Sequence, residues 1–241
     1  MLAAPEPLTI HVSEGLSVSA LLVRPAQAWA CYVLAHGAGA GMSHSFLQAV
    51  ASDLADRGIA TLRYNFPFME RRSKRPDPPS LAHAAVRAAV SAASRMVPEL
   101  PLIAGGKSFG GRMTSQAQAS SPLPGVRGLA FLGFPLHSAK QPSDQRAAHL
   151  SSVSVPMLFL QGTRDELADL DHLRRVCERL KQRATLVEVL DADHSFHVPA
   201  RSGRNDGEVR AEIFDALAAW TTDLVAASAA RRSHSRGERT L

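Results

Sequence analysis

The residue of this chain with the surroundings best suited to chemistry is Ser108, in the run G-K-S-F-G at positions 106–110. The apolar stretch 101–105 precedes this run, so the pattern G-x-S-x-G falls where a strand is expected to turn into a helix. A serine on such a tight corner projects its hydroxyl above the sheet edge, and the strained backbone needs small neighbours such as Gly106 and Gly110. The following helix directs its N-terminal N–H groups toward the serine. We therefore predict that Ser108 is a nucleophile.

An acid and a histidine follow Ser108, each at the end of a strand-like run. Asp165 comes after the run 156–162, and His194 comes after the run 184–190. Because loops at the carboxyl ends of parallel strands gather along one edge of a sheet, the three side chains can meet at one point. In such a triad the histidine takes the proton of the serine, and the aspartate holds the histidine in the correct tautomer. We predict Ser108, Asp165 and His194 as the catalytic residues.

A glycine-rich turn, H-G-A-G-A-G at positions 36–41, follows the strand-like run 31–35. We expect one oxyanion-hole N–H from Ala38, with Gly37 as the alternative one position away, and the other from Phe109, the residue after the nucleophile. A phosphate-binding loop is a second interpretation of this turn, but no Lys-Ser or Lys-Thr pair ends the glycine run. The turn therefore favours oxyanion stabilisation.

Further residues near this edge could contact a substrate. His36 is expected to hold the glycine turn by a side-chain hydrogen bond, and Lys107 occupies the variable position before the nucleophile. The segment 70–79 follows a strand and carries four cations, which could attract an anionic acyl or phosphate-bearing substrate. A solvated, proline-rich loop remains the alternative interpretation of that segment. The candidate substrate-binding residues are His36, Gly37, Lys107, Arg71 and Arg72.

Other assignments within the triad also remain open. His197, which lies just beyond His194, is an alternative base, and Asp169 or Asp171 is an alternative acid. The two aspartates fall inside a predicted helix, where a capping or solvent-facing role is the default. The remaining histidines lack the H-x-x-x-H or Cys/His spacing of zinc sites, so we expect no metal and no cofactor.

Together these motifs resemble those of the α/β-hydrolases over nearly the whole chain, from residue 8 to residue 227. The order Ser-Asp-His is that of the superfamily and differs from the orders of the chymotrypsin and subtilisin types. Within it, the chain is similar to the small, nearly lidless dienelactone-hydrolase-like group. It is more closely similar to a family that includes testis-expressed hydrolase-like proteins and a subunit of a histone-acetyltransferase complex. The matching segments are 35–39 (AHGAG), 63–68 (RYNFPF), 105–113 (GGKSFGGRM) and 132–137 (LGFPLH).

The resemblance implies the fold and the triad but names no substrate. One departure concerns the nucleophile, which is a cysteine in true dienelactone hydrolases and is Ser108 here, so ester or amide chemistry is favoured. The segment 134–155, where this fold commonly inserts a lid, is short, which favours a small ester or thioester over peptides and lipids. Some relatives act as subunits of complexes, so a binding scaffold is the alternative function. Each triad position carries a competent residue, which favours an active serine hydrolase.

Composition fits one α/β-hydrolase domain over residues 1–227, followed by a basic tail at 228–241 that we expect to be disordered. The net charge of +5 comes largely from this tail, which holds four arginines and one glutamate, and we expect no nucleic-acid partner.

No apolar run approaches the ~18 residues of a membrane span, and no secretory signal is expected. Two cysteines give no disulfide framework, which fits a cytoplasmic protein, and a homodimer remains open.

Strand and helix patterns alternate along most of the chain, which predicts a mostly parallel sheet with right-handed helical crossovers. An antiparallel hairpin, 8–12 with 16–24, is expected to precede it. The further predicted strands are 31–35, 60–64, 102–105, 128–132, 156–162 and 184–190, and the predicted helices are 45–57, 81–96, 110–119, 169–180 and 209–227.

Overall fold

A computed structural model describes the backbone of residues 4–237 and the side chains of residues 4–227, and within these residues eight strands form one sheet. The strands follow the predicted ones closely, and the hairpin and the alternation with helices are confirmed. The strands are β1 (Glu6–Ser13), β2 (Leu16–Val23), β3 (Ala30–Ala35), β4 (Ile59–Tyr64), β5 (Leu102–Lys107), β6 (Val126–Leu132), β7 (Met157–Gly162) and β8 (Ala184–Val189).

The strand order, β1-β2-β4-β3-β5-β6-β7-β8, explains how distant segments meet. β2 pairs antiparallel with both β1 and β4, whereas every pair from β4 to β8 is parallel. The chain passes from β3 outward to β4 and then crosses back to β5 on the other side of β3. The junction of β3 and β5 is therefore a topological switch point, where open α/β sheets bind ligands. The glycine turn follows β3 and the Ser108 corner follows β5, so both lie at this junction.

The helices also begin close to the predicted positions. The sequence patterns do not predict the short α2, which starts at Pro67, a residue whose fixed φ suits the first turn of a helix. The last helix, α6, continues past its predicted end at residue 227, and the basic segment 228–241 lies outside the described side chains. The helices are α1 (Ser45–Asp56), α2 (Pro67–Glu70), α3 (Pro79–Met96), α4 (Phe109–Ser120), α5 (Leu170–Leu180) and α6 (Asp206–Gly237).

Each face of the sheet has its own hydrophobic core. α3, α4 and α5 cover one face, and α1 and α6 cover the other. Alternation along a strand sends successive side chains to opposite faces. In β4, Leu62 and Tyr64 therefore join the core under α3 and α4, while Ile59 joins the core under α1. Because both faces of the central strands are buried, these strands are held firmly in place, and the candidate site lies at their ends.

The connection between β6 and β7 is short, as expected, and its regular part is one 3₁₀ segment, Gln145–Ser152, packed against α4. The two cysteines, Cys31 and Cys177, form no disulfide. No described helix combines the length and the apolar character that crossing a membrane requires.

Candidate active site

Ser108 lies on the corner between β5 and α4 in a strained backbone conformation, with φ 51° and ψ −115°. Non-glycine residues seldom adopt a positive φ, and such strain clusters at functional sites. A Cβ on Gly106 would lie 2.2 Å from the carbonyl oxygen of Ala35, and a Cβ on Gly110 would lie 2.6 Å from that of His36. Only glycine at these two positions lets the corner pack directly against the end of β3.

The three residues predicted as a triad form a chain of two hydrogen-bonded contacts, with His194 in the middle. Ser108 Oγ lies 2.9 Å from His194 Nε2, and His194 Nδ1 lies 2.6 Å from Asp165 Oδ2. With the Nδ1 proton directed at the carboxylate, Nε2 is left to accept the serine hydroxyl proton. The Asp165 side chain is fully enclosed, whereas 25% of the His194 side chain is exposed. This arrangement is the one that general-base activation of a serine requires.

Two further hydrogen bonds orient Asp165. Gln161 Nε2 donates to its Oδ2 at 2.5 Å, and the Leu167 N–H donates to its Oδ1 at 2.8 Å. Gln161 is fully buried on β7, and its Oε1 accepts the N–H of Phe134 at 2.8 Å. Sequence reasoning missed Gln161, because a lone glutamine belongs to no motif. The signal that could have found it is a polar side chain within an apolar, buried strand just before the acid, since such a group must have a partner.

Lys107 reaches from the position before the nucleophile to the histidine loop. Its Nζ donates a hydrogen bond to the backbone carbonyl of His194 and lies 5.4 Å from the centre of the Phe196 ring. Burial lowers the pKa of Lys107 to about 8, against the opposing effect of the carboxylates of Asp165 and Asp193. The side chain therefore places a positive charge near the triad carboxylate and ties the histidine loop to the corner.

The glycine turn packs against Ser108 from the β3 side. A Cβ on Gly37 would lie 3.8 Å from both Ser108 Cβ and the Lys107 carbonyl oxygen, which is ordinary contact distance. Ala38 follows and lines the cavity beside Ser108. Phe109 begins α4, so its N–H belongs to the helix end where backbone donors lack intrahelical acceptors. The expected oxyanion-hole residues thus flank the nucleophile on two sides.

His36 is fully buried beneath this turn, and both of its ring nitrogens have partners. Its Nδ1 lies 2.7 Å from the Gly37 carbonyl oxygen, and the Phe66 N–H donates to its Nε2 at 2.9 Å. Burial lowers the pKa of His36 to about 4, so the ring is neutral near pH 7. The ring also packs edge-on against Phe66 and Phe68. With no exposed surface and no free nitrogen, His36 supports the turn rather than contacting a substrate.

The alternative base and the alternative acids each have partners outside the Ser108 site. His197 Nδ1 pairs with Asp206 at 2.9 Å on the surface. Asp169 caps the N-terminus of α5, and Asp171 pairs with Arg174 at 3.0 Å. These contacts match the capping and solvent-facing roles expected of both aspartates.

A second buried histidine, His137, anchors the loop that carries Asp165. The Asp169 N–H donates to His137 Nε2 at 2.7 Å, and the His137 N–H donates to the Leu167 carbonyl oxygen at 3.1 Å. His137 Nδ1 lies 2.8 Å from the Ser138 carbonyl oxygen. The loop after β7 is therefore held by the loop after β6, a link that the sequence does not show.

An open cavity of about 440 Å³ leads to Ser108 and His194, walled by the glycine turn at 37–40 and by Lys107. Its large apolar side chains are Phe46, Leu47 and Leu167. Arg71 and Arg72, predicted as substrate-binding residues, are not among its lining residues. Arg71 instead pairs at 2.5 Å with Asp77, whose side chain is fully enclosed.

Within residues 4–227, no three histidine, cysteine, aspartate or glutamate side chains gather as a metal site would require.

Comparison with known proteins gives one family and several similar folds. A family model described as an alpha/beta hydrolase domain matches residues 28–222. A dienelactone hydrolase from Anabaena variabilis has a similar fold, with a TM-score of 0.73 and 22% identity over 92% of this chain and 99% of that chain. An alpha-beta serine hydrolase homologue from Coxiella burnetii has a TM-score of 0.70 and 19% identity, over 89% of this chain and 97% of that chain. An a/b serine hydrolase without lid from Xanthomonas campestris has a TM-score of 0.69 and 20% identity, over 91% of this chain and 96% of that chain.

Proposed function

The chain belongs to the α/β-hydrolase family, and from this premise we propose that it is a serine hydrolase that cleaves a small ester or thioester. The observation that carries the proposal is the continuous hydrogen-bond chain from Ser108 through His194 to Asp165, with contacts of 2.9 and 2.6 Å. A serine hydroxyl is a weak nucleophile at its own pKa, and an adjacent base oriented by a third group is what activates it. The strained corner and the enclosed carboxylate support the same assignment.

The reaction begins when Ser108 Oγ attacks the carbonyl carbon of the substrate and His194 Nε2 takes its proton. Asp165 stabilises the imidazolium that forms and keeps the ring in place. The bond to the leaving group breaks as His194 returns the proton to the departing oxygen or sulfur, which leaves an acyl group on Ser108. Water then attacks the acyl-enzyme with His194 again as base, releases the carboxylic acid and restores the serine.

The carbonyl oxygen gains negative charge in both steps, and fixed donors must face it before reaction begins. We assign this role to the backbone N–H groups of Phe109 and Ala38, each of the kind whose loss typically costs about 3 kcal/mol of barrier lowering. The N-terminal end of α4 adds a favourable dipole at the same place. Both donors are backbone groups, so side-chain substitution at these positions tests them poorly.

The shape of the cavity supports a small substrate. A volume of about 440 Å³, open to solvent, suits a compact acyl group. The apolar contacts of Phe46, Leu47 and Leu167 favour its hydrocarbon part. The short connection between β6 and β7 offers no cap that could enclose a lipid chain. We further propose that the chain is a relative of the group that includes testis-expressed hydrolase-like proteins, because the four segments named above resemble theirs.

The test is active-site labelling of the purified protein with a fluorophosphonate, which reacts with activated serines far faster than with ordinary ones. We expect labelling of the wild type and loss of labelling in Ser108→Ala and His194→Ala. The matched control is His197→Ala, which removes a nearby surface histidine paired with Asp206 and should label like the wild type.

The wild type that has not been treated with the probe should also hydrolyse short 4-nitrophenyl esters, and labelling should abolish this activity. A folded wild type that resists the probe, with a circular dichroism spectrum like that of an α/β protein, would overturn the proposal and favour a binding scaffold. Labelling that survives Ser108→Ala would show that another serine reacts, which equally contradicts the proposed nucleophile.

A further inference from the structure

A second cavity, of about 320 Å³, lies between α1 and the paired strands β2 and β4. It shares no lining residue with the cavity at Ser108. Leu21 and Val23 of β2 and Ala51 of α1 give it apolar walls. Among the described residues that line it, Arg63 of β4 alone carries a charge. The proposed hydrolysis makes no use of this cavity, so a ligand bound there would be separate from the substrate.

Arg63 faces this cavity because of its place in the sheet. Side chains alternate between the two faces along a strand. Leu62 and Tyr64 pack under α3 and α4, so Arg63 between them points to the face that α1 covers. In the antiparallel pairing of β2 with β4, Leu21 lies directly opposite Arg63, and such cross-strand neighbours contact each other. The guanidinium therefore lies among apolar side chains, with only 2% of the residue exposed.

Arg63 lacks the charged or ionisable partner that the other buried charges have. Within the described residues, three lysine, arginine, aspartate or glutamate residues are buried: Arg63, Asp77 and Asp165. Asp77 pairs with Arg71 at 2.5 Å, and the Asp165 carboxylate lies 2.6 Å from the ring of His194. No described carboxylate pairs with Arg63, and burial lowers its pKa without an opposing acid. Arginine nevertheless stays protonated in proteins, so an uncompensated positive charge borders the cavity.

Most hydrogen-bond donors of the Arg63 side chain are unused. Its Nη1 donates to the Met42 carbonyl oxygen at 3.1 Å, which is its one hydrogen bond to the described residues. Its Nε is enclosed and donates to no acceptor. Buried polar groups normally have partners, so free donors at the wall of a cavity point to an acceptor from outside the chain. Ser52, also in the lining, adds a hydroxyl to the same cavity.

We propose that this cavity binds a small organic anion, with its carboxylate or phosphate on Arg63 and its hydrocarbon chain on the apolar walls from β2 and α1. The planar fork of arginine matches either anionic group through paired hydrogen bonds. The apolar walls offer water no hydrogen bonds, so a hydrocarbon chain displaces it favourably. The volume of about 320 Å³ is at the lower end for small-molecule sites, which favours a short chain. The inference goes beyond the proposed function and does not depend on it.

The test is calorimetric titration at pH 7 with hexanoate, monohexyl phosphate and hexan-1-ol, which share one hydrocarbon chain and differ in the head group. We expect at least one anion to bind with a dissociation constant below about 1 mM, and hexan-1-ol to bind at least about tenfold more weakly. Arg63→Met should raise the dissociation constant of the anion at least about tenfold. The control for lost charge is Arg95→Met, which removes an exposed arginine near the end of α3 and should not change it. The preferred anion identifies the head group as a carboxylate or a phosphate.

Two cavity-filling variants locate the bound anion. Ser52→Leu fills the proposed cavity from α1, and Ala40→Leu fills the cavity at Ser108 from the glycine turn. Both positions are partly exposed, so each should accept the larger side chain. We expect Ser52→Leu to raise the dissociation constant of the anion at least about tenfold and Ala40→Leu to change it less than about twofold. The reverse pattern would place the anion beside Ser108 and overturn the proposal.

Arg63→Lys guards against a folding defect, because it keeps the charge and loses the fork. Its dissociation constant should fall between those of the wild type and Arg63→Met, with a circular dichroism spectrum like that of the wild type. If Arg63→Met does not fold, Ser52→Leu and the comparison with hexan-1-ol still decide the case.

Failure of both anions to bind the folded wild type at about 10 mM would overturn the site, whatever fluorophosphonate labelling shows. Hexan-1-ol that binds as tightly as the anions would overturn the role of Arg63. So would an anion that binds folded Arg63→Met as tightly as the wild type.

Discussion

The Nζ of Lys107 donates a hydrogen bond to the backbone carbonyl of His194. Lys107 directly precedes the proposed nucleophile, Ser108, so this bond ties the loop of His194, the proposed base, to the Ser108 corner. The two positions are far apart in sequence and meet because β5 and the loop after β8 end at the same edge of the sheet. The same ammonium lies near the Asp165 carboxylate. We therefore propose that Lys107 is a positioning residue of the triad.

Replacing Lys107 should reveal its buried charge in the pH dependence of stability. Burial lowers the pKa of Lys107 from 10.5 to about 8, so between these pH values the unfolded chain binds more protons than the folded protein. The wild type should gain stability relative to Lys107→Met as the pH rises through this range, by about 2–3 kcal/mol. Urea unfolding at pH 8 and pH 10.5 measures the difference, and parallel pH profiles for the two proteins would contradict it.

Gln161 should matter for catalysis as well as for folding, because it contacts Asp165 and also accepts the Phe134 N–H. Gln161→Met removes a 2.5 Å hydrogen bond to Asp165, so the carboxylate is held less firmly against His194. We expect kcat/KM for a neutral ester to fall about tenfold, which corresponds to one hydrogen bond of about 1.4 kcal/mol.

The control for Gln161 is Gln118→Met, which removes another buried glutamine, one that accepts the Leu123 N–H at 2.8 Å away from the triad. It should lower the melting temperature while kcat/KM of the folded protein stays unchanged. Similar kinetic losses in the two variants would argue against a positioning role for Gln161.

The corner should tolerate no side chain at Gly106. A Cβ there would approach the Ala35 carbonyl oxygen to 2.2 Å at a φ of 151°, and the atom it meets is backbone of a central strand. Gly106→Ala should therefore destabilise the protein by more than about 3 kcal/mol, or about 10 °C in Tm, or prevent folding.

Gly39→Ala is the matched glycine control, because a Cβ at Gly39 would meet nothing within 4 Å. Its Tm should stay within about 2 °C of the wild type. Thermal unfolding followed by circular dichroism decides both cases, and a Gly106→Ala protein as stable as Gly39→Ala would refute the packing argument.

Acid should destabilise the protein partly through His36. Burial lowers the pKa of His36 from 6.5 to about 4, so in this range the unfolded chain binds a proton that the folded protein does not. Stability should fall as the pH drops from 6.5 to 4, and this residue alone contributes up to about 3 kcal/mol. His36→Asn should be less stable than the wild type at pH 7. Its free energy of unfolding, measured with urea, should fall less steeply between pH 6.5 and pH 4. The control substitution is His11→Asn, at an exposed position on β1. If the stability of His36→Asn depended on acid pH as steeply as that of His11→Asn, the prediction would fail.

Sequence patterns recovered the order of strands and helices because alternation and periodicity are properties of short segments. They missed α2, which spans only Pro67–Glu70, because one turn gives no periodicity to recognise. The order of strands across the sheet, with β4 outside β3, could be seen only in the structure, because the pattern within one strand does not indicate which strand it pairs with.

The sequence by itself determined which residues could form a triad, because Ser108 lies in a local glycine pattern and because Asp165 and His194 each follow a strand. Only the tertiary structure decided which charges are free to act. Arg71 was predicted to contact substrate and is neutralised by Asp77, whereas the Lys107 ammonium lies near the Asp165 carboxylate. The physical reason is that a charge acts through its neighbours in space, and those neighbours come from segments that the chain brings together only when it folds.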